Sequence, residues 1–152
     1  MAKIDIGDAA PDFTLHSNRG DEVTLSTFKG KRSVVLFFYP KDDTPGCTAE
    51  ACDFRDTHAR FTSSDAEVIG VSSDSVASHK RFAEKHELPM LLLSDPGGQV
   101  RERYGVKATF GIFPGRVTFV IDKEGVVRYV FSSQLRAREH VAKALEIVKG
   151  LA

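Results

Sequence analysis

The chain of 152 residues holds two cysteines, Cys47 and Cys52, and both fall in one stretch, Pro40-Lys41-Asp42-Asp43-Thr44-Pro45-Gly46-Cys47-Thr48-Ala49-Glu50-Ala51-Cys52. Thr44 is a preferred N-cap type and Pro45 suits the first helical position, so a helix starting there sets Cys47 three residues past its cap. A first-turn sulfur sits among backbone N–H groups that have no intrahelical partner, at the positive end of the helix dipole. Both favour thiolate over thiol, and the thiolate is the reactive form. Cys52 lies about 140° round the same helix and about 7.5 Å along it, which separates the two Cα atoms by roughly 8.5 to 9 Å. A disulfide needs roughly 4.4 to 6.8 Å. If these sulfurs react with one another, the first turn or two must unwind, and Thr44-Pro45-Gly46 supplies a hinge.

Laid out at the helical period, Cys47, Ala51, Phe54, His58 and Phe61 share one face, expected to pack on a sheet with His58 as a satisfied core histidine. Cys52 shares a more polar face with Thr48, Arg55, Ala59 and Thr62. Residue by residue, blander readings stay open. Either thiol also reads as an inert core residue. Thr44 reads as a cap alone, Pro40 as a strand terminator and Arg116 as a surface loop residue. His16, His79, His86 and His140 stand in polar contexts and are expected in solvent. No metal site is expected, because two cysteines on one helix, with His58 more than two turns from Cys47, do not supply four ligands.

The surrounding elements are those of an α/β domain. Asp12 to His16 and Glu22 to Leu25 alternate around Asn18-Arg19-Gly20-Asp21 as a hairpin, and Ser26 caps a helical turn to Lys29. Ser33 to Tyr39 is apolar almost throughout, as in a central strand covered on both faces, and delivers the chain to Pro40. Glu67 to Ser72 is a second buried strand, followed by a helix capped by Asp74 or Ser75 and running to about His86. Leu91 to Leu93 is a short strand, the turn Ser94 to Gly98 leads into a helical stretch ending at Tyr104, and Val117 to Ile121 pairs with Val126 to Phe131 across Asp122-Lys123-Glu124-Gly125. Arg138 to Val148 closes the chain as an amphipathic helix stopped by Gly150. Open α/β sheets carry their sites at the carboxyl ends of strands, which is where the Pro40 to Gly46 loop falls. The apolar loop Phe110-Gly111-Ile112-Phe113-Pro114 reads as a pocket collar, a subunit contact or ordinary packing.

A chain of this length is most simply one domain, spanning residues 1–152. Lys plus Arg and Asp plus Glu are both 21, so the formal charge is zero, and with no long single-sign run neither nucleic acid nor a lipid surface is an expected partner. No apolar run is long enough for a membrane span or a signal peptide, so a cytosolic location is expected. In a reducing compartment, two cysteines point to catalysis or redox activity before a structural bridge.

With those residues in place, the chain resembles the peroxiredoxins. The resemblance is carried by Pro40-x-x-x-Thr44-x-x-Cys47 together with Arg116 just before Val117-Thr118-Phe119-Val120-Ile121-Asp122. The string Phe38-Tyr39-Pro40-Lys41-Asp42-Asp43-Thr44-Pro45-Gly46-Cys47-Thr48 is similar to the bacterioferritin-comigratory-protein or peroxiredoxin Q branch, and the likeness extends from Gly7-Asp8-x-Ala10-Pro11-Asp12-Phe13 to the last helix. It implies a thioredoxin-like fold, with a central mixed sheet flanked by helices and an N-terminal β-hairpin. It also implies a thiol-dependent peroxidase for hydrogen peroxide and organic hydroperoxides, with no cofactor. In that scheme Cys47 attacks the peroxide and becomes a sulfenic acid, Thr44 hydrogen-bonds the peroxide, Pro40 shields the site and Arg116 holds the thiolate. Cys52 resolves the sulfenic acid as an intramolecular disulfide, which thioredoxin or a similar thiol reductant reopens. Glu50 matches an acidic position of the motif; alone it would oppose a thiolate, so an arginine partner is expected for it. The acting unit is expected to be a monomer, with a weak dimer as the alternative. Two rivals use the same cysteines: a redox switch with little turnover, and a thioredoxin-type disulfide oxidoreductase, whose cysteines would be separated by two residues rather than four.

Overall fold

The computed structural model describes residues 4–106, 116–132 and 137–151; the apolar stretch 110–114 lies outside them. In chain order the elements are strands β1 (Thr14–Ser17), β2 (Glu22–Thr24) and β3 (Ser33–Phe38), helix α1 (Pro45–Ser63), strand β4 (Ala66–Ser72), helix α2 (Val76–His86), strand β5 (Leu91–Ser94), helix α3 (Gln99–Arg103), strands β6 (Val117–Ile121) and β7 (Val127–Ser132), and helix α4 (Ala137–Leu151). The strands form one seven-stranded sheet in the order β2-β1-β5-β4-β3-β6-β7. β3 runs parallel to β4, and β4 to β5, while β3 and β6 are antiparallel. This is the mixed sheet expected of a thioredoxin-like fold, with the hairpin β1–β2 joined to it through β5.

β3 is buried at every position, as its unbroken apolar run requires. Its side chains divide by the strand period of two. Val35 and Phe37 belong to a core with α1, α2 and α4, whereas Val34, Leu36 and Phe38 belong to a core that includes Phe13, Val100 and Tyr104. Within the first core Phe54 of α1 stacks on Phe37 with ring centroids 4.5 Å apart, and Phe61 follows Phe54 at 5.6 Å. Burying each of these rings contributes on the order of 1.5 to 3 kcal/mol. That apolar stripe holds α1 across the end of β3, so its first turn opens at the carboxyl edge of the central strand.

Three local expectations are corrected. Ser26 does not cap its turn: it lies inside a 3-10 turn from Leu25 to Phe28, and its N–H donates to Asp12 Oδ1 instead. Gly150 does not stop α4, which continues through it to Leu151. His58 is half-buried rather than a core residue, because it falls at the margin of the α1 stripe. The Ser75 cap on α2 is as expected, its hydroxyl accepting from the Ser78 N–H. No helix among the described residues is long and apolar enough to cross a membrane.

Candidate active site

Thr44 occupies the N-cap position of α1 and Pro45 follows it, so Cys47 stands in the first turn. The residue is 2% exposed. The Thr44 side chain does not cap the helix; its hydroxyl donates to the Lys41 carbonyl at 2.9 Å. That leaves the lone pairs of the Thr44 hydroxyl to accept from another donor. Its carbonyl accepts the first intrahelical bond, from the Thr48 N–H at 2.8 Å.

Arg116, just ahead of β6, is brought to this turn from 69 residues away. It is 4% exposed, not a surface loop residue. Nη2 donates to Cys47 Sγ at 3.3 Å, and Nη1 donates to Glu50 Oε1 at 2.6 Å. Glu50 sits on the next turn of α1 and is fully buried, so the arginine partner expected for it is present. Burial opposes the guanidinium's charge, but Glu50 and Cys47 together hold the Arg116 pKa above its usual value. Burial also pushes Glu50 up to about 7, against the pull of Arg116.

Gly46 lets this approach happen. A Cβ on residue 46 would lie 2.9 Å from Arg116 Nη2, inside contact distance of an atom already committed to Cys47. Pro40 is half-buried between β3 and the loop. Cys52 is half-buried on the same unbroken helix, and both cysteines are free thiols.

The loop is anchored from behind by residues that the sequence reading left in solvent or did not single out. Asp42 Oδ1 accepts from the Tyr39 hydroxyl at 2.6 Å, and Asp42 Oδ2 accepts from Ser78 at 2.8 Å. His79 Nδ1 lies 2.7 Å from Asp42 Oδ2, while His79 Nε2 donates to the Leu93 carbonyl at 3.0 Å. The Asp42 N–H donates to Asp74 at 2.8 Å. The expectation of a solvated His79 is thus wrong, and so is that for His140; both are fully buried. A helical-period signal was available for each. His79 shares the face of Phe82 and Ala83 on α2, and His140 that of Ala144 and Val148 on α4, all buried. Their polarity obscured their position.

Comparison with known proteins bears on the family and the fold. The AhpC/TSA family profile matches residues 6–130. Peroxiredoxin Q, chloroplastic, of Oryza sativa subsp. japonica is 51% identical over 150 residues, covering 98% of this chain and 69% of the rice protein. The crystal structure of the peroxidoxin BcpB from Mycobacterium tuberculosis superposes with a TM-score of 0.90 at 39% identity, covering 98% of this chain and 99% of that one. A bacterioferritin comigratory protein of Xanthomonas campestris, studied for alkyl peroxide reduction, superposes with a TM-score of 0.82 at 30% identity over 97% of this chain and 98% of its own.

Proposed function

This chain belongs to the AhpC/TSA family and is a thiol-dependent peroxidase of the peroxiredoxin Q type, and from that premise we propose that Cys47 is the sulfur oxidised by peroxide and Cys52 the thiol that resolves it. The observation that carries the reading is the Arg116 donor 3.3 Å from a buried first-turn sulfur. The Cys47 thiolate attacks the terminal oxygen of a hydroperoxide; the O–O bond breaks, Cys47 becomes a sulfenic acid, and the departing alkoxide or hydroxide takes up a proton to leave as alcohol or water. Arg116 faces both the sulfur and the charge that builds on the leaving oxygen. The Thr44 hydroxyl accepts a hydrogen bond from the peroxide O–H, and Pro40 keeps bulk water from the loop.

Cys52 then attacks the sulfenic sulfur, water leaves, and a disulfide forms. Helix geometry forbids that step in the conformation described here, since residues five apart in a helix have Cα atoms roughly 8.5 to 9 Å apart. The unwinding is bounded on both sides. Upstream, Asp42 is pinned by Tyr39, Ser78 and His79; downstream, Phe54 is fully buried on Phe37. The segment that opens is therefore 43–53. Once the sulfenic acid forms, the negative charge that Arg116 held is gone, which weakens the internal tie on that segment. At the segment's first residue, the exposed Asp43–Lys85 bridge at 2.9 Å is a weak latch.

A dithiol reductant such as thioredoxin reverses the disulfide, reaching Cys52 on the half-exposed side of α1. Every group named comes from one chain, so we take the monomer as the acting unit. We also place the cycle in a thiol-reducing compartment, the cytosol on the sequence reading; the chloroplast in the rice protein's name is a property of that relative.

Mass spectrometry after one equivalent of hydrogen peroxide tests the pairing. The expected product is a Cys47–Cys52 linked peptide with loss of one peroxide, whereas a stable sulfenic or sulfinic Cys47 beside a free Cys52 would assign resolution to an external thiol. The Cys52→Ser chain is expected to be oxidised once and then to turn over poorly with thioredoxin. Fast turnover by the parent also excludes the sensor reading.

A second expectation concerns Gly46. Ala is the better helix former, but its methyl group meets the guanidinium on which buried Glu50 also depends, so Gly46→Ala should fold with a modestly lowered thermal midpoint. Its methyl group displaces the guanidinium, and the first oxidation step slows by about tenfold to a hundredfold. Stopped-flow oxidation at an unchanged rate would show that Arg116 need not stand where it does.

A further inference from the structure

With Cys47 ionised, one guanidinium faces two anions. Cys47, Glu50 and Arg116 are 2%, 0% and 4% exposed, and a net charge in so dry a site is costly. Among the described residues, one buried side-chain atom lacks a hydrogen-bond partner, and it belongs to this group: Glu50 Oε2. It looks toward α4, where His140 Nδ1 lies 3.7 Å away. The same nitrogen is 2.8 Å from Thr118 Oγ1 of β6. His140 is fully buried, with the Phe131 ring edge-on at 4.6 Å.

We propose that His140 is a positioning residue for the peroxide reaction, which shares a single proton with Glu50 and thereby leaves the charge of Arg116 to the Cys47 thiolate. Counting charges shows the effect. With one proton on the couple, whether it rests on the carboxyl or on the imidazole, Glu50 and His140 together are neutral and Arg116 balances the thiolate. Without it the group is one negative charge in excess, and the guanidinium is drawn to Glu50, already its nearer partner at 2.6 Å. Thr118 serves both forms of the ring, because a hydroxyl can donate to a bare nitrogen or accept from a protonated one. Among the described residues, Cys47 and Arg116 face Glu50 on one side and His140 faces it on the other. The next ionisable pair along the α1–α4 contact is Asp53 with Arg138. Burial raises Glu50 to about 7, so the proton is exchanged within the working pH range.

The inference rests on Cys47 being the sulfur that peroxide oxidises, and the test separates the two. In a Cys52→Ser parent, the rate of the single oxidation by hydrogen peroxide is followed from about pH 5 to about pH 9. Failure of this parent to consume one equivalent would refute the assignment of Cys47, whatever the variants do. The expected parent profile declines on the alkaline side as the shared proton is lost. Glu50→Gln, which has no proton to lose, abolishes the decline. His140→Asn removes one of the proton's two seats, so the decline moves to lower pH by about one unit. The double variant behaves as Glu50→Gln alone. A parent without an alkaline decline, or variants that lower the rate by one constant factor at every pH, would overturn the proposal. If His140→Asn does not fold, Glu50→Gln with His140 in place decides: persistence of the decline overturns the proposal.

Discussion

The Cys47→Ser chain is expected to consume no peroxide above the uncatalysed rate while folding as the parent does. A serine hydroxyl stays protonated throughout the working pH range and cannot attack the O–O bond as a thiolate does, yet it fills nearly the same space and can accept from Arg116 as the sulfur does. Activity is lost without a cavity and without an unpaired donor. Peroxide consumption and the thermal midpoint should be read on the same sample. Retention of the parent rate would remove Cys47 from the reaction, and a large fall in the midpoint would mean that the loss reports unfolding instead.

Arg116→Met is expected to slow the first oxidation by about 10²- to 10³-fold, the usual cost of removing one donor aimed at developing charge. It should also destabilise the chain, for a separable reason. Glu50 loses the guanidinium that opposes its burial, and so it folds in its protonated form. Glu50 stands near 7 even with Arg116 beside it, so the parent already bears most of the cost of that protonation at neutral pH and the variant adds only a fraction of a kcal/mol there. Because losing Arg116 raises the folded-state pKa further still, the deficit relative to the parent is absent below about 7, where Glu50 is protonated in both folded chains, and grows as pH rises above it. Adding Glu50→Gln to Arg116→Met should recover most of the stability and none of the rate. Denaturant midpoints and oxidation rates on the two variants check this; recovery of rate by Glu50→Gln would show that Arg116 acts only by neutralising Glu50.

The site as drawn divides into a part carried by local sequence and a part made by contact. Thr44 before Pro45 announces where α1 begins, and that alone puts Cys47 in a first turn. The spacing to Cys52 sets the separation that disulfide geometry then rejects. The stripe from Cys47 through Phe54 to Phe61 identifies the face of α1 that packs, and all three are buried. His79 and His140 are buried against expectation because their helical position outweighs their polarity. Each lies on an apolar helix face and is satisfied by partners on other elements, Leu93 and Asp42 for one and Thr118 for the other.

From its own residues the chain determines a helix that opens beside Cys47 and a central strand apolar on both faces, because caps, turns and hydrophobic period are local properties. Its order of residues also settles that the two sulfurs are held apart while that helix stands. What only the tertiary structure decides is the company Cys47 keeps: Arg116 from the start of β6, the room left by Gly46, and the Glu50–His140 gap between α1 and α4. Those are contacts between segments far apart in sequence, made when three helices close over one face of the sheet, and no local spacing encodes them.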